Sequence, residues 1–305
     1  MPVKTIKEQN LQWIHIDRTD DDSINFLKQN FSFHHLDFED LVSEQQTPKI
    51  DVYKNYLFLV LHFPHWNGEL QTIIPQEVDI FLGDGYFITI QNAKSKEIKN
   101  FFYRCMNNKH VKDEWMSGSS GYLLYRFIEA LFHDTRPVLN NIGKNISSLE
   151  QRIFAGNQDT TVIKQLALLR RNVLSFRRVI DPERYLIANL SHTRKSFLDE
   201  SLSLYFDDVT DYLSNIWTVV DNYQEIIKGL HITVESLLNR RINKTISTLT
   251  VISVSLLPFS VLSGIYGMNI ALPFAERPSV IWGLYALLAT IIVSFIFIMK
   301  KRKWL

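Results

Sequence analysis

Two runs without a charged residue decide what this chain can fold into. Between Lys244 and Glu276 lie 31 uncharged positions, and between Arg277 and Lys300 lie 22. A bilayer core takes about 20 helical residues at about 1.5 Å of rise each, so both runs are long enough to span one. The turn between them holds Pro273, Glu276, Arg277 and Pro278, none suited to lipid. The C-terminal part therefore reads as a helical hairpin through a membrane, with Gly267-Met268-Asn269 at its far mouth. Arg240, Arg241 and Lys244 precede the first span, Lys300 to Lys303 follow the second, and the turn carries only Arg277. The excess of basic residues on one side predicts both termini in the cytoplasm, in a cell (inner) membrane.

Composition narrows the remainder. A chain of 305 residues suggests about two domains. A net charge of +1 argues against nucleic acid as a partner. The mean hydropathy of −0.05 averages a polar body with an apolar tail. The one cysteine, Cys105, excludes an intrachain disulfide and a thiolate metal cluster, and reads as a small semi-buried thiol. Met1-Pro2-Val3-Lys4 opens no apolar run, so no cleaved signal is expected.

Residues 11–91 read as α/β. Gln12 to Asp17, Tyr56 to His62, Val78 to Leu82 and Tyr86 to Gln91 are strand-like, with Gly83-Asp84-Gly85 as a hairpin turn. Stretches 21–29, 36–46 and 95–107 look helical, the first capped within Asp20 to Ser23. His62, His65 and the pair His34-His35 invite a metal reading, but no carboxylate or cysteine completes a ligand set, and ordinary strand-end histidines are expected. Met116 to Gly121 reads as a linker into a helical hairpin, with arms over 120–154 and 160–180 and a cap at Asp159 or Thr160. The second arm carries Arg170, Arg171, Arg177 and Arg178 as a solvated basic face or a collar near the membrane, and Asp181-Pro182 is expected to stop it.

From Pro182 to Pro258 the chain has one glycine, Gly229, which predicts a single helix over 192–266. Leu202, Phe206, Val209, Leu213, Ile216, Val220, Tyr223, Ile227, Leu230, Val234 and Leu237 alternate spacings of four and three, a heptad seam. A second stripe with the same spacing runs through Asp208, Asp211, Asn215, Thr218, Asn222, Glu225, Gly229, Ile232, Ser236, Asn239 and Asn243. It continues through Ile246, Thr250, Ser253, Leu257, Ser260, Gly264 and Gly267. In the bilayer, serines and glycines on one face either pack helix on helix or line water. Two spans cannot enclose an aqueous path, so a pore made this way needs several copies of the chain.

Tyr266-Gly267-Met268-Asn269 after the first of two C-terminal spans, with Lys300-Lys301-Arg302-Lys303-Trp304-Leu305 at the end, resembles the CorA family of divalent-metal transporters. The resemblance covers the whole architecture. It implies an α+β cytosolic domain, an α/β sandwich plus a helical hairpin, then one very long stalk and pore helix and a second transmembrane helix. These would build a funnel-shaped homopentamer. The corresponding divisions are 1–115 for the α/β domain, 116–182 for the hairpin, 183–244 for the stalk and 245–305 for the pore domain.

The resemblance also implies a selectivity filter at Gly267, Met268 and Asn269 and pore-lining positions at Asn243, Leu249, Leu257 and Ser260. Ile246, Thr250, Ser253 and Gly264 join them from the stripe. Leu249 and Leu257 would constrict the path by dewetting, and Gly267 would let the backbone turn. A regulatory cytosolic Mg2+ site would use Asp208 and the position of Asn55, whose side chain is uncharged, unless Asp51 or Asp211 takes over. Glu276 in the outer turn would draw cations to the mouth.

The expectation is a homo-oligomeric channel in a lipid bilayer that admits Mg2+, with Co2+ or Ni2+ as further cargo, and that Mg2+ itself regulates. No enzyme activity, organic cofactor or nucleotide-driven step is expected. A Zn2+ transporter of the same architecture and a non-conducting, membrane-anchored metal sensor remain the alternatives.

Overall fold

The computed structural model describes residues 3–43, 46–91, 96–156, 159–269 and 278–301. In chain order the elements are β1 Val3–Glu8, β2 Leu11–Ile16, α1 Asp21–Asn30, α2 His35–Val42, β3 Lys49–Val52, β4 Tyr56–Asn67, β5 Thr72–Gly83 and β6 Tyr86–Ile90. There follow α3 Lys96–Asn107, α4 Lys109–Met116, α5 Ser120–His133, α6 Arg136–Phe154, α7 Thr160–Ser191, α8 Ser203–Tyr266 and α9 Pro278–Lys301. Contacts group the chain into residues 1–230 and 231–305.

The first unit is built on a six-stranded sheet of order β1-β2-β6-β5-β4-β3, in which β2 and β6 run parallel and the other neighbours antiparallel. Tyr56 through Pro64 of β4 are buried without a break, as expected of a strand covered on both faces. One face holds Ile14, Phe58, Val60, Phe81 and Ile88 beneath Leu27 of α1 and Leu41 of α2. On the other, Trp13 meets Phe102 of α3, Trp115 of α4 and Phe127 of α5, while α7 packs on β4 and β5. The result is the expected α/β sandwich. The anticipated turn is present, with Gly85 at φ 75° and only 2.9 Å for a Cβ beside the Asn10 carbonyl. Asp20 and Asp159 cap α1 and α7 through Ser23 N and Val162 N.

β4 outlasts its outer neighbour. β3 stops at Lys49 opposite Val60, and beyond it His62 N donates to Glu183 Oε1 of α7 at 2.6 Å. Two residues on stands Pro64, which has no N–H to satisfy. Burial pushes the fully enclosed Glu183 carboxyl well above the usual range.

Several boundaries differ from the sequence reading, and β4 and β5 run longer than the stretches Tyr56 to His62 and Val78 to Leu82. α7 continues through Pro182 to Ser191, because Leu186, Ile187 and Leu190 are buried beyond it and offset a cost of about 3 kcal/mol for an interior proline. The hairpin arm over 120–154 is broken at Asp134-Thr135 into α5 and α6, with proline in the first turn of α6. The long helix starts at Ser203 rather than 192, after a short 3-10 turn at Glu200–Leu202. α2 ends at Val42, short of 46, and β1, β3 and α4 are additional.

A buried polar chain crosses the sheet at β2 and β6. Trp13 Nε1 donates to Thr89 Oγ1 at 3.0 Å, and the same oxygen lies 3.0 Å from His15 Nδ1. The ionised Asp17 carboxylate, 3.2 Å from His15 Nε2, can only accept, which puts the imidazole proton on Nε2 and leaves Nδ1 to accept from the Thr89 hydroxyl. Burial lowers the pKa of His15 to about 4, against the pull of Asp17. The folded protein therefore refuses a proton that the unfolded chain accepts from pH 6.5 downward. Stability present above pH 6.5 is lost as the pH falls toward 4, by up to about 3 kcal/mol. Thermal unfolding of the full chain in detergent should show this acid slope, and His15→Gln should flatten it; equal slopes would refute the assignment.

Candidate pore and filter

The heptad seam of α8 is the buried side of that helix. Leu202, Phe206, Val209, Leu213, Ile216, Val220, Ile227, Leu230 and Val234 are all buried, and Tyr223 and Leu237 half-buried. The polar stripe is the opposite case. Every member from Asp208 through Asn243, Ile246, Thr250, Ser253, Leu257, Ser260 and Gly264 to Gly267 is exposed, as is Leu249 beside it.

Among the described residues, α8 and α9 are the two helices long and apolar enough to cross a membrane. Most large apolar side chains on α9, among them Trp282, Leu287, Ile291, Val293 and Phe297, are exposed, which suits lipid and not water. α8 meets α9 through Phe259, whose ring stacks on Tyr285 at 6.1 Å, and Ser263, which hydrogen-bonds the Tyr285 hydroxyl at 2.7 Å. Val251 and Ser255 are buried on the same side. At about 100° per residue this side lies roughly opposite the face of Thr250, Ser253, Leu257, Ser260 and Gly264. Packing against α9 therefore does not account for the polar stripe.

Two hydroxyls on that stripe are oriented by their own helix. Thr250 donates to the Ile246 carbonyl at 2.9 Å and Ser260 to the Leu256 carbonyl at 3.4 Å. With the hydrogen spent inward, each oxygen presents its lone pairs outward, as an acceptor. Nothing lies within 4 Å of a Cβ built on Gly264.

α8 ends at Tyr266. Gly267 N donates to the Ser263 carbonyl at 2.9 Å and Met268 N to the Ile265 carbonyl at 3.2 Å, which leaves Gly267, Met268 and Asn269 exposed just beyond the helix. Glycine at 267 answers a steric demand rather than the expected conformational one. Its φ is not positive, but a Cβ there would sit 3.0 Å from the Ser263 carbonyl oxygen. Glu276 lies outside the described residues.

The candidate regulatory residues stay apart from other ligands. Asp208 and Asp211 are exposed on the first turns of α8 and make no ion pair among the described residues, and Asn55 is exposed in the turn between β3 and β4. Asp51 cannot be counted as a free substitute. It belongs with Asp37 and Asp40 to a group with metal-ligand spacing, but Lys49 Nζ already sits 2.6 Å from Asp40 and 2.8 Å from Asp51. Asp37 accepts from the hydroxyls of Tyr53 and Tyr56, both at 2.6 Å. Burial works against the Lys49 charge, but the two carboxylates outweigh it and hold its pKa above the ordinary value. An ammonium thus fills the place a cation would take.

The histidines and arginines find local partners. His62 Nε2 faces Glu77 at 3.2 Å, and His34 caps α2 by accepting from Leu36 N. Arg171 donates to the carbonyls of Leu70 and Gln71, while Arg177 pairs with Asp221 at 3.0 Å and lies over Trp217. These contacts explain both arginines as structural. Cys105 is fully buried, with its thiol pushed up to about 11 by that burial. The pairing of Ser263 with Tyr285 and the carboxyl of Glu183 escaped the sequence reading. A tyrosine in the outer third or so of an uncharged run was the one available signal for the first.

A family model described as CorA-like Mg2+ transporter protein matches residues 8–302. The chain is 27% identical over 280 residues to the cobalt/magnesium transport protein CorA of Thermotoga maritima, covering 90% of this chain and 78% of that one. It is 20% identical over 298 residues to the zinc transport protein ZntB of Yersinia pestis, covering 96% and 88%. The complete structure of the CorA magnesium transporter from Methanocaldococcus jannaschii matches with a TM-score of 0.82 at 21% identity, over 98% of this chain and 93% of that one.

Proposed function

This chain belongs to the CorA-like Mg2+ transporter family, and on that premise we propose that it admits Mg2+ through an oligomeric pore lined by the polar stripe of α8. The carrying observation is the stripe itself, exposed from Asn243 to Gly267 on the side away from α9. Several copies, five in our reading, would turn these faces toward a common axis.

Mg2+ wants six oxygen ligands and sheds water reluctantly, so neutral oxygens that accept from its water shell suit it better than a carboxylate cage. The outward lone pairs of Thr250 and Ser260 are of that kind. A ring of Asn269 carbonyls, with the backbone of Gly267 and Met268 beneath it, would form the filter. Leu249 and Leu257, both exposed, would narrow the path and close it by dewetting. Entry would follow the electrochemical gradient. Glu276 would raise the cation concentration at the outer mouth.

Regulation by cytosolic Mg2+ would rest on Asp208 and Asp211. With Asn55 uncharged and Asp51 held by Lys49, such a site would have fewer carboxylates and bind Mg2+ weakly. Zn2+ transport is the second reading, supported by the likeness to a zinc transport protein over 96% of this chain. Met268 in the filter favours Mg2+.

The test is Mg2+ and Zn2+ uptake into liposomes carrying the purified full chain. Mg2+ uptake that Co2+ and Ni2+ inhibit is expected. Zn2+ uptake without Mg2+ would select the second reading, and uptake of neither would leave only the non-conducting sensor.

A further inference from the structure

We infer that Tyr285 on α9 is a positioning residue for the filter, acting through Ser263. The inference rests on the proposed pore and adds a residue that the motif itself does not contain. Its basis is a short relay of hydrogen bonds. The Tyr285 hydroxyl and Ser263 Oγ are 2.7 Å apart, and the Ser263 carbonyl accepts from Gly267 N at 2.9 Å. One residue therefore holds α9 with its side chain and the first filter residue with its backbone. The fit at Gly267 is close, since even a methyl there would press on the same carbonyl oxygen at 3.0 Å. A shift of Ser263 is passed directly to the turn carrying Met268 and Asn269.

The Tyr285 ring is itself fixed. Phe259 of α8 stacks on it nearly parallel, at an interplanar angle of 7°, and Trp282 lies 6.3 Å away. Ser263 lies 19 residues beyond Lys244, about 28 Å along a helix, so the pair sits near the outer edge of the bilayer core. There a hydroxyl has few other partners, and the two satisfy each other. Tyr285 touches no ion in this arrangement. It sets where the Asn269 carbonyls stand, and hence how well they match one ion's water shell over another's.

Tyr285→Phe removes the hydroxyl and keeps the ring, and Ser263→Ala removes its partner. Two measurements on the full chain decide the matter. In nanodiscs, amide exchange over residues 262–269 should quicken by about three- to tenfold in either variant, the range expected for one interhelical hydrogen bond in lipid. In liposomes, the apparent KM for Mg2+ and its ratio to the Co2+ inhibition constant should shift by a similar factor in each single variant. The double variant should shift no further, because both changes remove the same bond. Unchanged exchange overturns the inference whatever the flux does. Faster exchange with KM and ion preference unchanged reduces the pair to a structural contact and also overturns it. If the unaltered protein passes no divalent ion, the pore reading fails first and this inference fails with it.

Discussion

Asn269→Ala is expected to reduce Mg2+ influx by at least about a hundredfold while leaving folding and assembly intact. Asn269 is exposed beyond the end of α8, so its truncation empties no core. The loss comes from chemistry. A ring of side-chain carbonyls contributes several hydrogen bonds to a hydrated ion at once, each worth roughly 1 kcal/mol net, and about 1.4 kcal/mol corresponds to a tenfold change in rate or affinity. Liposome uptake and unfolding temperature, measured on the same preparation, separate the two effects. Influx equal to that of the unaltered chain would remove Asn269 from the filter. It would also favour the non-conducting sensor, for which this side chain has no task.

Gly121→Ala should have the opposite profile, with folding lost and no direct effect on the ion path. A Cβ at position 121 would lie 2.3 Å from the Phe197 carbonyl oxygen and under 3 Å from the side chains of Leu198 and Leu202. A backbone oxygen cannot swing aside as a side-chain tip can, and Gly121 N already donates to that same carbonyl at 3.2 Å. Relief requires moving α5 or the segment leading into α8. We expect a loss of about 3 kcal/mol or more, seen as a fall in unfolding temperature of roughly 5–10 °C or as failure to accumulate. Gly68→Ala is the matched control, since nothing lies within 4 Å of its Cβ, and it should change stability by less than about 0.5 kcal/mol. Equal behaviour of the two variants would show that the loop before α8 yields more freely than its packing suggests.

Gly121 also illustrates what the sequence conceals. Met116 to Gly121, rich in serine and glycine, reads as a linker, yet Ser119 caps α5, Ser120 Oγ donates to the Gly83 carbonyl at 2.5 Å, and Gly121 is a packing contact. Composition cannot distinguish a glycine that loosens a chain from one that lets two backbones touch. Pro182 misled in the same way. Its local penalty is visible, but the burial of Leu186, Ile187 and Leu190 that overrides it depends on where β4 and β5 lie. The seam of α8 was legible throughout because its signal is the period itself, repeated from Leu202 to Leu237. The two spans were legible because an uncharged run of that length has few other uses. The place of Gly267, Met268 and Asn269, the proposed filter, at the end of the first span was legible from the motif and the uncharged run before it. The link from Ser263 to Tyr285 was not, since nothing in one helix announces its register against another.

The closure of β4 past the end of β3 bears on how copies of this chain can associate. An exposed strand edge invites another chain to add itself there, and that is a common start of aggregation. Here the outer strand is only four residues long, carries Lys49 and Asp51, and gives way to a stretch where Glu183 occupies the free N–H of His62 and Pro64 offers none. β1, at the opposite edge, is studded with Lys4, Lys7 and Glu8. On the proposed pore reading, in which copies gather side by side, these edges guard the chain against gathering strand to strand. The self-association that the proposed pore requires is left to its helices, and disordered clumping during synthesis has fewer places to begin.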